Sequence, residues 1–105
     1  MPKFMRRRYL ALKLDAEQVS HKDVANAIWS SVLQLFGEYG VSQANLYIIE
    51  QYSQKGSITV RCSLNALEMV RAAISAITEI SGKPAVLHIL MISGTLKTIR
   101  EKVKL

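Results

Sequence analysis

Apolar and polar residues alternate from Arg6 to Leu14. Leu10, Leu12 and Leu14 fall on one side, and Arg7, Tyr9, Ala11 and Lys13 on the other. A period of two is that of a strand with one buried face. The period then changes. Ser20 and Asp23 have capping-box spacing, with Asp in place of Glu, and Val19 is placed to staple onto Val24. Val24, Ile28, Ser31, Val32, Leu35 and Tyr39 recur at helical spacing, and Gly37 and Gly40 are expected to end that helix.

A second strand is predicted near Asn45 to Tyr52, then a turn at SQKG, then a third strand from Ser57 to Ser63 with Ile58, Val60 and Cys62 inward. Asn65 and Glu68 repeat the cap spacing, and Leu64 can staple onto Met69. Val70, Ala73, Ile74, Ile77 and Ile80 form the inner stripe of a second helix, stopped by Gly82 and Pro84. Ala85 to Ile92 reads as a strand apolar on both faces. Thr95 can cap a short last helix with a stripe at Leu96, Ile99 and Val103.

This order predicts one α+β domain over residues 1–105, a ferredoxin-like (RRM-like) βαββαβ sandwich. It comprises an antiparallel sheet, two helices on one face and a short C-terminal helix. The first and third strands are expected side by side and parallel at the sheet centre, with the fourth antiparallel against the first.

Charge changes the picture. Lys and Arg number 14 against 8 Asp and Glu, a formal net charge of +6, which favours a polyanionic partner. Cys62 is the single cysteine, so neither an intrachain disulfide nor a cysteine-based metal site is available. The chain suits a reducing compartment, and a cytoplasmic location is expected. The opening MPKFMRRRYLALKLDAEQ is too short in its apolar part and too charged for a signal peptide. No stretch approaches the roughly 20 apolar residues of a membrane span.

Catalytic chemistry finds little support. His21 falls in a helix first turn, and His88 is read as a strand histidine at the edge of the core. The carboxylates are scattered, Asp23 is spent on a cap, and no glycine-rich phosphate loop exists. Cys62 points inward as a small apolar residue. KGSITVRC opens like a base-stacking strand, with a basic residue and a glycine, but Ser57 and Thr59 stand where aromatic readers would. The last helix is expected to roof this outer face, so that RNA would be bound by phosphate and shape and not by stacking.

In the expected topology Arg6, Arg7 and Arg8, Lys55, and Lys97 with Arg100 converge at one end of the sheet, beside the backbone donors of a helix starting at Thr95. Arg61 and Lys13 are secondary candidates on the outer face. Trp29, Leu33 and Phe36 form a second apolar stripe on the first helix, either an interface or part of a wide core.

RRRYLALKL, LQLFGEYGVSQANLYIIE, KGSITVRCSLNALEMVRAAISAI and ILMISGTLKTIRE, in this order, resemble the small archaeal ribonuclease P subunit family called protein component 2, related to the eukaryotic Pop-five proteins. The match departs in stopping soon after SGTLKTIREKVKL, where relatives often continue. The resemblance implies a non-catalytic subunit of the ribonucleoprotein that removes the 5′ leader from precursor tRNA. It implies ribonuclease P RNA, precursor tRNA and a TIM-barrel-like partner, protein component 3, in a heterotetramer. No membrane and no small-molecule substrate are implied. The protein would bind no cofactor, and magnesium is expected for the RNA. On this view Arg6, Arg7, Arg8, Lys55, Lys97 and Arg100 neutralise RNA phosphates, helped by Arg61 and Lys13, and Trp29, Leu33 and Phe36 meet protein. Two alternatives stay open: a ferredoxin-like small-ligand regulatory module, against which the glycine-free turn DAEQVSHKD counts, and an assembly module with incidental basic charge.

Overall fold

A computed structural model describes residues 6–16, 19–52 and 57–102. Strand β1 (Arg7–Asp15) leads to helix α1 (His21–Ala44), strands β2 (Tyr47–Tyr52) and β3 (Ser57–Ser63), and a 3-10 turn at Leu64–Ala66. Helix α2 (Leu67–Ser75), the two-residue strands β4 (Glu79–Ile80) and β5 (Lys83–Pro84), strand β6 (Val86–Ser93) and helix α3 (Leu96–Lys102) follow. The main sheet has the order β2-β3-β1-β6. The α+β class and the ferredoxin-like layout hold.

Every neighbour pair in that sheet is antiparallel, which corrects the parallel pairing expected for the first and third strands. The reason is topological. Strands β2 and β3 are joined directly and pair antiparallel. Helix α1 carries the chain back, so β1 and β2 run the same way and β3 between them runs against both. Arg7 therefore faces Ser63, and Lys13 faces Ser57.

Alternation along β1 and β3 places Leu10, Leu12, Ile58, Val60 and Cys62 on one face, where they pack with Val24 and Ile28 of α1 and Val70 and Ile74 of α2. The opposite face is also covered in part. Ala11 and Thr59, directly opposed there, are each 3 % exposed. Helix α3 packs on β1 and β6 with Ile99 2 % exposed. The expected roof is present, and Thr95 caps it: its Oγ1 accepts from the Thr98 N–H at 3.3 Å. Val103 lies outside the described residues.

Helix α1 begins as expected, with Ser20 Oγ accepting from the Asp23 N–H at 3.2 Å. It does not end at Gly37 or Gly40. Gly37 takes φ 73 and ψ −173 and interrupts the helix, which resumes and runs to Ala44, where Asn45 supplies a left-handed cap. Those dihedrals are all but closed to residues with a Cβ. The break also resets the helical phase: burial stops after Val32 and returns at Gly40 and Ala44. Leu35 and Tyr39, expected inside, are consequently exposed, Tyr39 at 74 %. Gly40 is small because a Cβ there would collide with Phe36 and stand 3.1 Å from Met69 Sδ. A Cβ on Gly37 would touch nothing within 4 Å. Gly37→Ala therefore tests the backbone alone, and it should lower stability by about 1–3 kcal/mol, read from urea denaturation. An unchanged midpoint would contradict the interruption.

The α2 region departs in two ways. No side chain caps the 3-10 turn or α2; Asn65, expected as the cap, lies inside the 3-10 turn. The helix stops at Ser75, well before Gly82. Ile80 is buried, but from strand β4, which turns back into β5 through Ser81 (φ 55) and Gly82 (φ 80). Two successive positive φ values are what a type I′ hairpin requires.

Cys62 is wholly buried, and desolvation pushes its thiol from the ordinary 9.0 up to about 11. Folding thus favours the neutral thiol, a contribution intact below pH 9.0 and lost as pH rises towards 11. Iodoacetamide at pH 8 should alkylate Cys62 slowly in the native protein and quickly in urea. Equal rates would contradict its burial.

Candidate nucleic-acid interface

The basic end of the sheet is assembled by hydrogen bonds of the backbone. The Arg6 carbonyl accepts from the Leu64 N–H at 2.8 Å, which ties the entry to β1 to the exit from β3. Beside it, Ser63 Oγ donates to the Gln43 carbonyl at 2.7 Å and joins the end of α1 to the same corner. Arg8 Nη1 donates to the Arg7 carbonyl at 2.8 Å. The guanidinium lies against Gly94, where a Cβ would come within 3.3 Å of it. Tyr9 faces Ser93, so Ser93, Gly94 and Thr95 belong to this corner. Lys97 follows in the first turn of α3.

Arg6, Arg7 and Lys97 are exposed and have no carboxylate partner among the described residues; Arg8 is half-buried. The side chain of Arg100 is not among those described, though its backbone belongs to α3. The convergence expected of the N-terminal arginines with the start of the last helix is therefore present. Its backbone donors are another matter: the Thr95 N–H is taken by Ser93 Oγ at 3.2 Å, and the Thr98 N–H by Thr95. Neither is left for a phosphate.

Lys55 lies outside the described residues, but the strand it precedes begins at Ser57, opposite Lys13 and Tyr52. That is the far end of β1, roughly 20 Å from Arg7 at strand rise. Lys13, exposed and facing both Ser57 and His88, belongs to that far end too. His88 is exposed, not at the edge of the core.

Arg61 differs from a free phosphate ligand. It is half-buried, with its guanidinium carbon 5.0 Å from the centroid of the Tyr47 ring. That is a cation–π arrangement. Its Nε is buried without a hydrogen-bond acceptor among the described residues. Tyr47 and Tyr9 both face Arg61, one from each neighbouring strand. Tyr47 is the residue that sequence reasoning missed. The only signal was its place at the head of a strand, and β2 has a register irregularity between Ile48 and Glu50 that obscures the alternation.

On the helical side of the molecule Trp29, Leu33 and Phe36 are 38 %, 48 % and 38 % exposed, so the wide-core reading does not hold. Trp29 and Leu33, with Glu38, Val41 and Ser42, line a groove of about 350 Å³. Among the described residues no group of three or more His, Cys, Asp or Glu could hold a metal ion, and no helix is long and apolar enough to cross a membrane.

The chain has relatives among known proteins. The chain is 36% identical over 98 residues to ribonuclease P protein component 2 of Methanosarcina mazei, covering 92% of this chain and 83% of the relative. It is 30% identical to the protein of the same name from Pyrococcus furiosus, with 92% and 82% covered. Among solved structures, a chain in the cryo-EM structure of yeast ribonuclease MRP superposes with a TM-score of 0.71 at 12% identity, covering 90% of this chain and 79% of that one. At that identity the likeness speaks for the fold. The Rpp14/Pop5 family pattern matches residues 8–104, from Arg8 through the whole of α3. The chain belongs to the Rpp14/Pop5 family.

Proposed function

We propose that this chain is a non-catalytic protein subunit of ribonuclease P, binding the RNA of that ribonucleoprotein and supporting removal of the 5′ leader from precursor tRNA. The observation that carries the proposal is its likeness, over nearly its whole length, to archaeal proteins named ribonuclease P protein component 2. The site agrees with it. Arg6, Arg7, Arg8 and Lys97 form a basic corner suited to phosphates, and a phosphate contact fixes position without reading sequence. The RNA, with magnesium, performs the cleavage. The small-ligand regulatory alternative gains no support from the relatives. The Trp29–Leu33 groove, with Phe36, is the surface for a protein partner, a TIM-barrel-like component 3 in a heterotetramer. A cytoplasmic location accords with this role.

The test is a titration of the protein against structured RNA at several salt concentrations. Affinity should fall steeply and log-linearly with salt, at about one unit of slope per phosphate contact. A flat response overturns the proposal. Affinity capture from the native cell should bring down an RNA and a TIM-barrel-like protein together, and recovery of neither would also overturn it.

A further inference from the structure

The roof over the outer face of the sheet is incomplete, and towards the basic end it leaves an aromatic ring open. Helix α3 packs on β1 and β6, and Ala11 and Thr59 are buried on that face. One row nearer the basic end, Tyr47, Arg61 and Tyr9 stand opposite one another across β2, β3 and β1. Directly opposed residues share a face, so the three side chains form one continuous strip. Arg61 lies over the Tyr47 ring, and Tyr47 still leaves 56 % of its surface to solvent. The exposed part of the ring is open to a flat π system, and stacked ring pairs gain free energy beyond the area they bury.

We propose that the Tyr47–Arg61–Tyr9 strip is a stacking site for an unpaired nucleotide of RNA. The inference rests on the RNA-binding function proposed above and adds a second mode to it. Two features favour a nucleotide over an apolar protein segment. The strip carries its own positive charge in Arg61, and a guanidinium plane stacks on a base as an aromatic ring does. Exposed Arg7 shares this face two positions before Tyr9, where it can hold the phosphate of the stacked nucleotide. The basic corner and the strip are thus continuous: phosphates run along the arginines, and one base turns in over β3.

The experiment uses the full chain and two RNA probes, a short oligouridylate and a fully paired hairpin, both at low salt. Tyr47→Ala should weaken oligouridylate binding about tenfold, as loss of one stacked base does, and leave the hairpin within about twofold. Tyr47→Phe, which keeps the ring, should bind both as the parent does. Arg61→Lys, which keeps the charge without the plane, should lose oligouridylate affinity and not hairpin affinity. Circular dichroism matching the parent excludes misfolding, and Tyr47 is exposed at the head of β2. If both probes bind with salt dependence but Tyr47→Ala changes neither, or weakens both equally, the stacking site is wrong and the RNA-binding function stands. If the hairpin binds and the oligouridylate does not, the stacking site is again wrong. If neither probe binds, both proposals fall.

Discussion

Replacing Arg6, Arg7 and Lys97 together by alanine should lower affinity for structured RNA about ten- to hundredfold at low salt and make the log–log salt dependence shallower by about three. The three side chains are exposed and lack carboxylate partners among the described residues, so their removal disturbs no ion pair described there. The loss should therefore appear in binding and not in stability. Arg8 is left in place because its guanidinium holds the Arg7 carbonyl. Lys13→Ala is the internal control: it removes one charge from the other end of β1, and should change slope and affinity far less than Arg7→Ala alone, which also removes one. Equal effects from Lys13→Ala would mean that the protein attracts RNA by net charge and not through a corner.

Leu12→Ala should destabilise the fold by about 3–5 kcal/mol, the range for truncating a buried leucine that neighbours cannot close over. Leu12 is fully buried and opposed by Ile58 on one side and Ile89 on the other. Its strand lies between layers: helices α1 and α2 on the Leu12 face, and α3 on the Ala11 face. Collapse into the cavity from either direction would pull a central strand out of register with both neighbours. Against a total stability of about 5–15 kcal/mol for a domain, urea denaturation should show a large loss. A loss under about 1 kcal/mol would mean the core is looser than its burial implies.

What could be read in the sequence was what depends on one element at a time. The alternation of β1 and β3 located Leu10, Leu12, Ile58, Val60 and Cys62 in the core, and the Ser20 and Thr95 caps located two helix starts. What could not be read depends on how elements meet. A glycine's composition cannot distinguish a helix end from an interruption, and Gly37 was the latter because α1 continues to Ala44. The same holds for strand direction. Only a parallel pairing brings the start of the Lys55 strand to the basic corner, and the antiparallel ladder puts the strand's start, Ser57, at the other end. Tyr47 went unrecognised because its partner is Arg61 on the next strand, a pairing set by register and by the irregularity in β2. Arg6, Arg7 and Arg8 were legible because consecutive charges need no register to stay together.

The strand order β2-β3-β1-β6 also has a consequence in time. Strand β1 is made first, yet both of its neighbours come much later: Leu12 pairs with Ile58 and with Ile89. Such distant pairings are slow to form. At roughly 5–20 residues per second on the ribosome, the arginine-rich strand waits several seconds for its second partner to be translated. During that wait a basic strand with an open edge leaves the exit tunnel beside a large RNA. Completion of the sheet by β6, and the seating of α3 that follows it, is the step that withdraws the middle of β1 from such encounters and leaves its Arg6–Arg8 end on offer.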